Sequence, residues 1–189
     1  MCTIVDPSRT LLAGAASDSD VCDIARTLAR FGDRVLDFAA RFGIRIVPLR
    51  VGQRYYEASG ALRRLGVDVD GWPVPPAGLF VVEEKTVLLR SASPMTVAHE
   101  FGHALDCALG GGVYRSGYDA RVRAAFAAAR SFVTPYAATG LDEYFAESLR
   151  AYVEVNDPHS PWPRATRARL ASLDPAMHGV VAGILETLA

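Results

Sequence analysis

The chain has 189 residues, half of them apolar and 22% charged, which suits a folded globular protein and excludes a disordered or low-complexity one. Its 20 Lys and Arg against 21 Asp and Glu leave a formal charge of −1, and no basic stripe runs along it, so neither nucleic acid nor an anionic membrane is expected as a partner. No apolar run approaches the roughly 20 residues that a membrane helix needs. The N-terminal MCTIVDPSRTLLAGA lacks the basic region of a secretory signal. The expectation is a soluble protein, cytoplasmic or exported by a non-classical route; a processed fragment fits the same residues. Three cysteines, Cys2, Cys22 and Cys107, are odd in number and match no CxxC site, so they read as packed thiols in a reducing compartment.

In chain order, Ser17-Asp18-Ser19-Asp20 carries helix-start chemistry, and Val21, Ile24, Leu28, Val35, Leu36 and Ala39 follow at helical spacing. Gly32 splits this run into two helices and Gly43 ends it. Ile44–Val47 reads as a strand that resumes through Val51 after Pro48. Residues 57–78, with GVDVDGWPVPPAG, read as the longest loop. Leu79–Val82 and Thr86–Leu89, around the polar Glu83-Glu84-Lys85, predict a β-hairpin. Pro94 suits a first helical turn, and the helix from Thr96 to Leu109 stops at three glycines. Helices are predicted over Tyr118–Val133, from an N-cap at Asp142 to about Val153, over Pro163–Leu173 and over Pro175–Leu188. The class is α+β in a single domain over 1–189. A helix and sheet part covers about 1–92, a central helix about 95–109, and a helical part about 113–189.

Residues 99–103 read His99-Glu100-Phe101-Gly102-His103 inside the central helix. Histidines four apart share one helix face, the arrangement that two imidazoles need to reach one Zn²⁺ at about 2.0–2.1 Å. Glu100, offset around the helix, can reach a water on that metal without ligating it. The longer HExxHxxGxxH pattern fails, because Asp106 and Leu109 stand at its glycine and last histidine, which excludes a metzincin. Asp106 is too short to ligate from the same helix without strain. It reads as an N–H acceptor or, ahead of that, a solvated charge. Glu143 and Glu147 are four apart on a second helix, so one can complete the metal site while the other supports a histidine through its free N–H.

HEFGH, then Tyr136, then Glu143-Tyr144-Phe145-Ala146-Glu147, resembles the catalytic domains of anthrax lethal factor and the Pro-Pro endopeptidases, over about residues 78–151. The resemblance implies a zincin fold, with a small mixed sheet over the active-site helix and the 79–89 hairpin as its cleft edge. It implies one Zn²⁺ held by His99, His103 and Glu143, with Glu100 as general base, Tyr136 facing the oxyanion and Glu147 supporting a ligand. It implies a metalloendopeptidase acting on a peptide or protein substrate. A degenerate zincin that binds a peptide without cutting it, and a delivered toxin with the same chemistry, are the competing readings.

Few other residues invite a role. His159 and His178 receive none, Tyr144 and Cys107 are expected to pack, and Trp72 and Trp162 stand beside prolines, with packing expected for Trp72 ahead of a place on a substrate groove. Val74-Pro75-Pro76-Ala77 invites a self-cleavage reading by analogy with the Pro-Pro endopeptidases.

Overall fold

The computed structural model describes residues 10–13, 18–160 and 163–188. Expectations attached to Cys2, Ser17, Pro161 and Trp162 lie outside the described residues. Helices α1 (Asp18–Leu28) and α2 (Asp33–Phe42) are separated at Gly32, as their sequence predicts. Gly43 then closes α2 at φ +93°, a left-handed conformation that costs a side-chain-bearing residue about 1–2 kcal/mol. Strand β1 (Arg45–Pro48) follows and does not resume. Val51 instead lies fully exposed in a turn closed by a Gln53 N–H bond to the Arg50 carbonyl.

The expected loop 57–78 is structured in its first part by α3 (Tyr55–Ala58) and α4 (Gly60–Leu65). The Ser59 hydroxyl caps α4 by accepting from Leu62 N–H at 3.1 Å, and Glu84 Oε1 accepts from Ala61 N–H at 2.8 Å. The Gly- and Pro-rich remainder is irregular apart from a 3-10 turn at Val69–Gly71. It is tied down by Tyr55, whose hydroxyl donates to the Pro76 carbonyl at 2.9 Å, and by an Asp70–Arg90 ion pair.

Strands β2 (Gly78–Val81) and β3 (Thr86–Leu89) form the predicted hairpin. The sheet order is β1-β3-β2, with β1 parallel to β3 (Val47 opposite Leu88) and β2 antiparallel to it (Phe80 opposite Val87). Alternation sends Phe80, Val87 and Leu89 into the main core and Val81 and Leu88 against α3 and α4, so both faces are covered. Strand β2 lies at one edge of this mixed sheet.

Helix α5 (Pro94–Leu109) starts at Ser93, whose hydroxyl accepts from Thr96 N–H at 3.3 Å, with Pro94 in the first turn. It is buried nearly all round, so tertiary packing rather than amphipathicity holds it. Phe101 meets Phe31 edge-on at 4.8 Å. On another side, a Cβ at Gly102 would lie 3.0 Å from Ala146 Cα, which is why glycine permits the close crossing of α5 and α7 (Leu141–Tyr152).

Helix α6 (Ala120–Ala128) is shorter than the predicted Tyr118–Val133. Asp119 caps its start, and Ala129 turns extended at its end. Asp142 is not the cap of α7; Gly140 occupies that position, and Asp142 stands inside the first turn. Helix α8 (Arg167–Leu173) starts at Thr166 rather than Pro163, because the Thr166 hydroxyl accepts from Arg169 N–H. Helix α9 (Pro175–Leu188) matches its predicted bounds. The α+β class stands: a three-stranded mixed sheet with helices dominating the C-terminal half. Among the described residues no helix is long and apolar enough to cross a membrane.

Candidate metal site and its cleft

The helical spacing of His99 and His103 brings their Nε2 atoms to 3.1 Å of each other, with the rings edge to face. From α7, Glu143 Oε2 lies 3.1 Å from His99 Nε2 and 3.3 Å from His103 Nε2. These three residues form a group that could hold a metal ion. A tetrahedral ion with bonds of about 2.0–2.1 Å has ligand-to-ligand edges of about 3.3 Å, so the triangle fits. Glu143 Oε2 is buried, and its nearest polar neighbours are the two imidazole nitrogens.

The electrostatics of the metal-free group follow from these contacts. Burial disfavours a charged His99 ring, but the hydrogen bonds to Glu143 and Glu147 outweigh it and raise its pKa to about 10. Burial likewise works against Glu143 ionisation, yet bonds to His103 and His99 bring that carboxyl down to about 2. A cation held by these three residues would take the place of the proton they otherwise share.

Glu147 stands one turn further along α7. Its Oε1 lies 3.0 Å from His99 Nδ1, which leaves Nε2 for the triangle. Arg150 grips the same carboxylate with two N–H bonds of 2.8 and 2.9 Å, and the Thr134 hydroxyl donates to Oε2 at 2.7 Å. Burial opposes its charge, but Arg150 and then His99 hold it well below the usual carboxylate range. No sequence motif marks Arg150 or Thr134. An i, i+3 Glu–Arg pair was the one visible signal for the first, and nothing marked the second.

Glu100 lies beside the triangle and outside it. Burial pushes its carboxyl above the ordinary range, partly offset by His99 and His103. Gly78 of β2 sits against it, and a Cβ there would meet Glu100 Cγ at 2.5 Å and Thr96 Cγ2 at 2.8 Å. Gly78→Ala is therefore expected to displace Glu100. If Glu100 does the chemistry, kcat falls by roughly 10- to 100-fold while metal content is kept. Steady-state kinetics with metal analysis on the same preparation checks this; an unchanged kcat would show that Glu100 has room to adjust.

Tyr136 occupies a short turn just before α7, is 52% exposed, and donates its hydroxyl to Glu143 Oε1 at 3.1 Å. Its ring lies 5.4 Å from that of His99. Tyr144 is buried, as expected, and its hydroxyl bonds Asp174. Cys107 is also buried. His159 lies in a turn whose neighbours Asp157, Pro158 and Ser160 line the cleft, and His178 lies tilted against the Tyr152 ring at 5.3 Å; neither belongs to the triangle. Trp72 departs from the packing expectation, for it is 52% exposed and lines the cleft.

Asp106 is neither ligand nor solvated charge. It is fully buried and accepts from Ser116 N–H at 2.9 Å and Ser116 O–H at 2.5 Å, anchoring the chain that follows α5. Burial lifts its pKa to about 6, against those bonds. A folded-state pKa above the unfolded one gives stability that is full below about pH 4 and lost as pH rises through about 6, of order 3 kcal/mol. Asp106→Asn keeps both partners, so thermal unfolding should show a flatter stability profile over that window. Asp106→Ala should cost about 1–3 kcal/mol by stranding the Ser116 amide. An unaltered pH profile in the Asn variant would count against the raised pKa.

The triangle opens into a cleft of about 710 Å³. Its lining includes Gly78, Leu79 and Phe80 of the edge strand, Thr134 and Tyr136, and Tyr114 and Asp142. No protein-family model and no curated protein matches the chain. Among solved structures it is similar to the Pro-Pro endopeptidase PPEP-2 from Paenibacillus alvei, with 20% identity and a TM-score of 0.68 over 95% of this chain and 100% of that one. The α+β architecture, a small mixed sheet over a central helix with a helical C-terminal half, is the fold of that endopeptidase.

Proposed function

We propose that this chain is a zinc-dependent endopeptidase, a single metallopeptidase domain over 1–189. His99, His103 and Glu143 hold one Zn²⁺, and Glu100 is the general base. The observation that carries the proposal is the convergence of three ligand atoms, all within 4.8 Å of one another, on the floor of an open cleft beside a buried carboxyl. Two imidazoles and a carboxylate suit Zn²⁺ and leave a position open to substrate. Bound there, Zn²⁺ would supply a Lewis acid and lower the pKa of a water from 15.7 to about 7.

The protein's own groups divide the remaining work. Glu100, with its proton affinity raised by burial, takes the proton of the attacking water and delivers it to the leaving amine. Burial, then the Glu143 charge, holds the Tyr136 hydroxyl well above its ordinary pKa, so it stays a donor that can turn to the developing oxyanion. Glu147 fixes the His99 ring through Nδ1. The edge strand β2 gives an extended peptide a backbone to pair with. The resemblance of HEFGH and Tyr136–Glu147 to lethal factor and the Pro-Pro endopeptidases, and the fold shared with one of the latter, support the same reading.

Tyr136→Phe is expected to lower kcat by about 10²–10³ with metal content unchanged; an unaltered rate would remove the tyrosine from the chemistry. The proposal as a whole is tested by mass-spectrometric digestion of a peptide library with zinc, with chelator, and with zinc restored. It predicts cleavage that chelator abolishes and zinc recovers. A metal-loaded protein that cuts nothing would leave the peptide-binding zincin without activity.

A further inference from the structure

We infer that the part of the cleft lined by Asp142 and Tyr114 is a subsite for a basic substrate side chain, lysine or arginine, adjacent to the scissile bond on the His103 side. The inference rests on the endopeptidase reading and names a substrate preference for it.

The placement follows from the crossing of α5 and α7. Glu143 meets both histidines, whereas Glu147, one turn later, meets only His99. The two helices therefore run in opposite senses across the site, which puts the first turn of α7, with Asp142, toward the His103 end. Tyr114 belongs to the same end, since its ring lies 5.7 Å from His103 and 6.4 Å from Phe80. Asp142, Tyr114 and Phe80 all line the cleft.

The chemistry of this end is specific. Asp142 and Tyr114 are both half-buried. Among the described residues neither the Asp142 carboxylate nor the Tyr114 hydroxyl makes a hydrogen bond or ion pair, in contrast to Glu143 and Glu147. Asp142 stands in the first turn of α7, where a carboxylate often serves only the helix terminus, but its side chain accepts from no amide there. The Tyr114 hydroxyl offers a lone pair as well as a proton. An aromatic ring, that of Tyr114, beside an unpaired carboxylate is what a cation prefers: the aliphatic stem packs on the ring and the charged head meets the acid, while Phe80 backs Tyr114 from the core. An acidic residue at the same place would face Asp142 and Glu100 and be rejected.

The test uses the zinc-loaded full chain and peptides identical except for Lys, Ala or Glu at the two positions flanking the cleaved bond. For one of those positions kcat/KM is expected to be about tenfold higher with Lys than with Ala, lower still with Glu, and the Lys preference should shrink with added salt. Asp142→Asn should bring the Lys-to-Glu ratio toward one and Asp142→Lys should invert it, in variants shown to be folded by circular dichroism. Chelator-sensitive cleavage with no charge preference would overturn the subsite and leave the peptidase reading intact. If nothing is cleaved, the peptidase reading fails, and calorimetric binding of the same peptides to the Glu100→Gln protein still decides the subsite. Equal affinity for the Lys and Glu peptides would overturn it.

Discussion

Glu100→Gln is expected to abolish peptide cleavage, by about 10²–10⁴ in kcat, while the protein keeps its full complement of metal. The substitution preserves shape and removes only the proton-accepting oxygen. Glu100 lies outside the ligand triangle, so its loss should leave zinc affinity within a few-fold of the parent. Burial already pushes this carboxyl toward its neutral form, so a neutral amide should not lower the melting temperature. Zinc content, circular dichroism and single-turnover cleavage on one preparation separate these effects. A metal-loaded, folded Glu100→Gln protein that still cuts would require another base.

The second large effect concerns which carboxylate binds the metal. Glu143→Ala is expected to weaken zinc binding by well over 100-fold, because it removes a ligand atom. Glu147→Gln, which disturbs only the support of His99, should cost about 10- to 100-fold. The order follows from geometry: Glu143 Oε2 reaches both Nε2 atoms, whereas Glu147 meets the opposite nitrogen of one ring. Competition with a fluorescent zinc chelator gives both constants. The reverse order would exchange the roles of the two residues. Because Glu147 is also clamped by Arg150 and Thr134, its variant should lose thermal stability as well, which the Glu143 variant should not.

The parts of this architecture legible in the sequence are those with short-range causes. The 3.6-residue period places His99 and His103 together regardless of what packs around them, and the Pro94 and Gly110 boundaries frame their helix. Gly32 and Gly43 punctuate the N-terminal helices for local backbone reasons. The hairpin is readable because its two apolar runs are separated only by Glu83-Glu84-Lys85. Helix α4 went unread because a lone serine cap is a weak signal amid Gly- and Pro-rich neighbours. The overlong reading at Tyr118–Val133 came from alanine content, which speaks for helix but not for where it ends.

The site divides the same way. The histidine pair is legible from spacing alone, whereas Glu143 and Tyr136, some forty residues away, are singled out only by the resemblance to lethal factor and the Pro-Pro endopeptidases. Tyr114, Gly78 and the Asp106–Ser116 anchor owe their places to tertiary contacts that no local pattern encodes. Asp106 is instructive: on the motif helix itself a carboxylate reads as exposed, and only the returning chain at Ser116 shows it to be an internal anchor.

The most direct test of the central claim is anomalous diffraction at the zinc edge from a crystal grown with zinc. The account predicts a single strong peak bonded at about 2.0–2.1 Å to His99 Nε2, His103 Nε2 and a Glu143 oxygen, with Glu100 and Glu147 outside bonding distance. No peak between α5 and α7, or one ligated by Glu147 in place of Glu143, would contradict it.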